Sequence, residues 1–219
     1  ETFYDTGYGL NRLTTEEYIK SPMFQVIGLS IKINDSKTKW YTGTQEELQD
    51  VLNTIAWDDA ALVCHNMMFD GAILSWVFNI TPKVYFDTLC IARALHGTNA
   101  GGSLKALAER YNLGQKGTTV LQAKGKRLED FQPHELHEYG EYCKNDTELT
   151  YSLFNIIIKG FSPSELKLID LTIRMFTQPQ IHVDDALLIQ RLEEVKDEKE
   201  KLLLGLKSKL NCDSEEEVR

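Results

Sequence analysis

Apolar and β-branched side chains over residues 24–33 (FQVIGLSIKI), the turn-forming Asn34-Asp35-Ser36 and the run 37–41 predict a β-hairpin. Thr44 with Glu47 three residues on is a capping box, and the spacing Leu48, Val51, Leu52, Ile55 behind it predicts an amphipathic helix. The continuous apolar run 61–65 (ALVCH) reads as a buried central strand leaving a sheet. A helix over 70–78, a short strand over 84–86 ended by Asp87-Thr88, and a helix over 89–95 follow, so strand and helix alternate. Gly101-Gly102 breaks the chain, Ser103 caps a helix over 104–111, and Asn112 and Gly114 close it. Pro133 in a first turn opens a long helix to about residue 158. Beyond Gly160, Ser162 as cap, Pro163 and Glu165 start another helix to about residue 176. After an extended connection, Asp184-Asp185 caps a charged helix over 186–210. The acidic tail 211–219 is expected to fray.

A chain of 219 residues is long enough for one α/β domain with a helical appendage, and the pattern places the first over 1–160 and the second over 161–219. No apolar run approaches the roughly 18 residues of a membrane span, so no membrane association is expected. The net charge of −9 argues against nucleic-acid binding by bulk electrostatics. It leaves room for an enzyme whose positive charge is carried by cations on its carboxylates. Cys64, Cys90, Cys143 and Cys212 lack CxxC spacing and read as reduced thiols of a cytoplasm-like compartment. A start at Glu1 without Met suggests a fragment, a processed product or disorder upstream.

Two segments stand out: Asn66-Met67-Met68-Phe69-Asp70 and Tyr142-Cys143-Lys144-Asn145-Asp146. The first straddles a strand end and a helix start, so it points from the carboxyl edge of a sheet, where ligands of open α/β sheets bind. Asn66 as a cap and Asp70 as an acid favoured by the helix dipole is the bland alternative, and it stays open. Tyr142 and Asp146 share a helix face about 6 Å apart along the axis. There a core tyrosine with a solvated acid is the alternative. Against it, Asp is a mediocre residue for a helix interior, and Leu149, Leu153 and Ile157 already supply a core stripe. With Glu1, three separated acids could share one metal site.

These residues resemble the tyrosine-type DEDD 3′ to 5′ exonucleases, a DnaQ-like group with an RNase H-like fold. Asn66-x-x-Phe69-Asp70 is similar to the second motif, Tyr142-x-x-x-Asp146 to the third, and Glu1-Thr2 to the end of the first, Asp-x-Glu-Thr, whose Asp would fall two positions before residue 1. A histidine-type member would need His where Glu141 stands. Thr14 to Tyr18, Leu74-Ser75-Trp76, Gly102 to Tyr111 and Tyr139 to Cys143 resemble the proofreading domains of phage-type family A DNA polymerases. Glu165-Leu166, Ile169-Asp170, Arg174-Met175 and Val183-Asp184 resemble the helical connection toward their polymerase domain.

The resemblance implies an RNase H-like mixed β-sheet flanked by helices, with an incomplete N-terminal strand and a helical C-terminal extension. It implies a monomeric proofreading exonuclease acting on the frayed or single-stranded 3′ end of DNA, with a polymerase domain in the same parent chain, in a bacterial cell or phage-infected host. Mg²⁺ or Mn²⁺ in a two-metal site would be the cofactor, because hard cations prefer carboxylate oxygens. Glu1, Asp70 and Asp146 would be the metal ligands, Tyr142 would orient the attacking water, and Thr2, Asn66 and Phe69 would place the terminal nucleotide. Asp5 is a poor substitute for the upstream Asp, since four residues of strand carry it roughly 13 Å away. An RNase D-like RNA exonuclease and an inactive DNA-holding module are the alternatives. His65, the tryptophans Trp40, Trp57 and Trp76, and His134 and His137 read as packing or solvated residues. Asp87 reads as a cap, and Lys116, Lys124, Lys126 and Arg127 as a solvated basic loop, with contact to a DNA backbone as the alternative.

Overall fold

In a computed structural model of the chain, residues 1–115, 117, 123–181 and 183–210 are described. The tail 211–219 and Lys116 lie outside them. The chain divides into two compact units, Glu1–Gln178 and Pro179–Arg219.

The hairpin forms β1 (Gly28–Ile31) and β2 (Lys39–Thr42), antiparallel with Gly28 opposite Thr42. Its ladder is shorter than the sequence suggests, because the residues before Gly28 give their backbone groups to the N-terminal segment. Phe3 N–H donates to Gln25 O and Ile27 N–H to Glu1 O, both at 2.9 Å, around a Thr2–Val26 bridge. Helix α1 (Thr15–Lys20) and helix α2 (Gln45–Asn53) both start on complete capping boxes, Thr14 with Glu17 and Thr44 with Glu47. The apolar run forms β3 (Ala61–Cys64), helix α3 follows (Met67–Trp76), and β4 (Val84–Asp87) returns parallel to β3. Helices α4 (Thr88–His96) and α5 (Leu104–Arg110) are capped by Asp87 and Ser103 as the sequence suggests.

The single mixed sheet that was expected is split into an antiparallel ribbon, β1 with β2, and a parallel ribbon, β3 with β4. A cleft of about 750 Å³ is lined by residues of both, Ser30 and Val63 among them.

Helix α6 (Pro133–Ile157) ties the layers together, touching β1, β2, β3, α4 and α5. Its first half sends Tyr139 and Tyr142 into one core with Phe3, Tyr8, Tyr18 and Ile73; its second half sends Leu149, Leu153 and Ile157 into another with Ile91 and Leu107. Close approach to the hairpin depends on glycine. A Cβ at position 140 would lie 2.6 Å from Trp40 Cδ1, and a Cβ at position 28 would strike the far edge of the same indole. Trp40 is therefore gripped between its own ribbon and α6.

Helix α7 (Pro163–Thr177) belongs to the first compact unit, which runs past the break at Gly160 to Gln178. Asp170 Oδ1 accepts the Tyr85 N–H (2.8 Å), which otherwise would be an open donor on the β4 edge, and Arg174 donates to Pro82 O and Lys83 O. Ser75 Oγ and Trp76 Nε1 donate to Thr177 O at 2.8 and 2.9 Å. Polar satisfaction of a strand edge, together with burial of Ile173 against Met67 and Tyr85, attaches this helix to the α/β layers. In the second unit, α8 (Asp185–Leu210) buries no residue, and Asp184 accepts the Leu187 N–H at its start.

Gly140→Ala is expected to destabilise the protein by about 1–3 kcal/mol in urea unfolding, although alanine favours a helix interior by about 1 kcal/mol. Stabilisation would mean that the Trp40 contact gives way at little cost.

Candidate active site

The turn between β3 and α3 is held by a buried acid that neither motif contains. Asp87, 2% exposed, accepts the backbone N–H of Asn66 (3.0 Å) and of Leu89 (2.8 Å) on Oδ1, and the Cys90 thiol on Oδ2. Asn66 takes the left-handed conformation (φ 70°, ψ 54°), which asparagine tolerates better than most residues. It precedes α3 without a side-chain capping bond, so its exposed amide is not spent on the helix. Asp70 follows in the first turn of α3 and faces the cleft. Burial pushes its carboxyl up to about 6. The negative charges of Glu1 and Asp87 raise it further.

The N-terminal residues run antiparallel to the chain before β1, and the backbone nitrogen of Glu1 donates to Gly28 O (2.7 Å). Glu1 is thereby fixed beside the cleft, and its Oε2 accepts a hydrogen bond from the Tyr139 hydroxyl (2.8 Å). Thr2 Oγ1 lies 2.8 Å from the Tyr18 hydroxyl, which donates to Phe3 O. The Phe69 ring packs against Tyr18 with centroids 5.9 Å apart. Tyr18 thus links Thr2 and Phe69, and burial raises its hydroxyl to about 12.

On α6, Tyr142 is hydrogen-bonded to Asp146 one turn later. Its hydroxyl is held far above the ordinary range, first by burial and then by the charges of Asp146 and Glu1. Glu1, Thr2, Asp70 and Asp146 all line the cleft. Three acids widely separated in sequence therefore meet at one opening, close enough for the Glu1 carboxylate to perturb Asp70. Among the described residues, no three of His, Cys, Asp and Glu close into a ready cation cage. The donors themselves are hard carboxylate oxygens gathered at like charge, a set that suits a divalent cation.

Several tempting residues have ordinary partners. His65 Nδ1 lies 2.9 Å from Thr88 Oγ1, Trp57 donates to Leu52 O, and Trp76 to Thr177 O. Asp5 accepts two backbone N–H groups, from Gly7 and Tyr8, in a turn. Within the basic stretch, Lys126 pairs with Glu135 at 2.5 Å and Arg127 stacks over the Phe3 ring, so both are engaged in the fold, while Lys124 is exposed. Glu141, at the position that excludes the histidine type, pairs with Lys144 on the exposed face of α6.

Residues 17–160 match the family described as 3'-5' exonuclease, of the DNA polymerase A type. The chain belongs to this 3'-5' exonuclease family. The match runs from within α1 through α6, and takes in Asn66, Phe69, Asp70, Tyr142 and Asp146 of the exonuclease; Glu1 and Thr2 lie before it. No curated protein and no solved structure matches the chain. The mixed α/β layers with helices beyond them are consistent with the RNase H-like fold expected of such an exonuclease. Among the described residues, no helix is long and apolar enough to cross a membrane.

Sequence reasoning missed Asp87 as the staple of the Asn66 turn and Tyr139 as a partner of Glu1. The second carried a signal, since Tyr139 lies three residues before Tyr142 and so on the same helix face.

Asp70 sets a pH dependence. The folded protein holds this proton up to about pH 6, whereas an unfolded aspartate loses it near pH 4. Folding stability in EDTA is therefore expected to fall as pH rises from about 4 to about 6, by of order 1–3 kcal/mol, and Asp70→Asn should remove that slope in urea titrations at fixed pH.

Proposed function

We propose that this exonuclease removes nucleotides from the 3′ end of single-stranded or frayed DNA, as the proofreading part of a family A DNA polymerase. The observation that carries the reading is the meeting of Glu1, Asp70 and Asp146 at one cleft, with Tyr142 bonded to Asp146. Glu1 and Asp146 hold one Mg²⁺ or Mn²⁺ and Asp70 a second, together with an Asp that the resemblance puts two positions before residue 1. Two such cations supply an activated water, charge neutralisation at phosphorus and stabilisation of the leaving 3′ oxygen.

Tyr142, whose hydroxyl stays protonated at any working pH, orients the attacking water as a hydrogen-bond donor or acceptor. Thr2 and the exposed amide of Asn66 contact the terminal nucleotide, and Phe69 backs the site through Tyr18. Residues 161–219 lead toward a polymerase domain of the same parent chain, and the protein works as a monomer.

An inactive module that only holds DNA is the other reading. An RNase D-like RNA exonuclease is the alternative within the same chemistry.

Digestion of matched 5′-labelled DNA and RNA oligonucleotides in Mg²⁺ separates these readings. Asp70→Ala and Asp146→Ala should abolish digestion with circular dichroism unchanged, and Tyr142→Phe should slow it by about 10². Undiminished digestion by Asp146→Ala would refute the site. Faster loss of RNA points to the RNA enzyme, and metal-independent DNA binding without cleavage to the inactive module.

A further inference from the structure

We propose that Tyr139 is a second positioning tyrosine of the site, whose hydroxyl fixes one oxygen of the Glu1 carboxylate and leaves Oε1 to meet a cation. The inference rests on the reading of Glu1 as a metal ligand. It starts from a residue whose ring and hydroxyl do different work. The ring is 1% exposed and packs between Phe131 (centroids 5.6 Å apart, planes at 8°), Tyr142 (6.4 Å, 13°) and Trp40 (6.3 Å, 63°). Phenylalanine would fill that space equally well. A buried hydroxyl there has to be satisfied, and the acceptor it reaches is Glu1 Oε2, 138 residues away in sequence, at 2.8 Å.

The chemistry of the donor suits the task. A lysine or arginine at this place would hold the carboxylate as firmly, but its charge would compete with a cation for the same acid. A phenol is a neutral donor, and burial, followed by the charge of Glu1, keeps its proton in place. It removes rotamer freedom from a glutamate side chain without cancelling the charge that attracts the metal. Tyr142 stands in the same relation to Asp146, so α6 carries two stacked tyrosines, three residues apart on one face, each bonded to one of the proposed ligands.

The test compares Tyr139→Phe with the parent protein by Mn²⁺ binding, read from loss of the free-ion paramagnetic resonance signal, and by the Mg²⁺ concentration that half-saturates DNA digestion. Tyr139→Phe should weaken Mn²⁺ binding about 10-fold and raise the half-saturating Mg²⁺ by a similar factor, while thermal unfolding stays near that of the parent. Phe131→Leu disturbs packing of the same ring, and should lower the melting temperature while leaving metal affinity unchanged. Should Tyr139→Phe fold poorly, a double-mutant cycle with Glu1→Gln decides: Tyr139→Phe adds no further loss once Glu1 is neutral. Unchanged Mn²⁺ affinity in Tyr139→Phe, or a loss that adds fully to that of Glu1→Gln, overturns the proposal and leaves the nuclease reading standing. Undiminished Mn²⁺ binding in Glu1→Gln instead overturns the reading of Glu1 as a ligand, and the role of Tyr139 with it.

Discussion

Everything at the site depends on how closely α6 can lie against the hairpin. Helix packing normally keeps axes 8–10 Å apart because side chains intervene, and a strand ribbon faces the same limit. Here an indole fills the interface, and it fits because positions 28 and 140 have no side chain on either side of it. The resulting approach has two consequences. It aligns Tyr139, Tyr142 and Asp146 along the face of α6 that meets the N-terminal segment, and it lets one helix close two hydrophobic cores at once. A partial rotation of α6 about its axis would lose both, so core packing and site geometry are one constraint.

The acids at the cleft are held in an arrangement that is unfavourable without a counter-charge. Asp70 shows this directly: its proton is retained well above the ordinary range because burial and neighbouring carboxylates disfavour its charge. Hydrogen bonds to neutral donors, Tyr139 on Glu1 and Tyr142 on Asp146, hold the acids without discharging them.

Much of the fold is legible in single residues whose physics is local. Thr44 with Glu47, Ser103 and Asp184 mark helix starts because an orphan N–H must be met within a few residues, and Pro133 and Pro163 because a first-turn proline has no N–H to leave unpaired; each marks the start that the structure shows. The strand at 61–64 and its parallel partner at 84–87 are legible in the same way, as apolar runs between breakers. Less legible is where the ladder of β1 ends, since its upstream residues pair with Thr2 instead of extending the hairpin. The reach of the first unit to Gln178 is hidden for a related reason: Asp170 and Arg174 satisfy backbone groups at residues 82–85, and long-range pairings of that kind leave no periodic trace.

The sequence by itself determined the order of elements, the family, and the motif residues that carry the candidate chemistry, because propensity, capping and motif spacing are read within a few residues of one another. Tertiary structure alone decided that Glu1, Asp70 and Asp146 share one cleft, that Asp87 staples the Asn66 turn, and that Tyr139 meets Glu1. Each of these depends on a distance between segments far apart in the chain. Such distances are set by the packing of α6 against the hairpin and the β3–α3 turn, a many-body balance of volume and burial that no local pattern encodes.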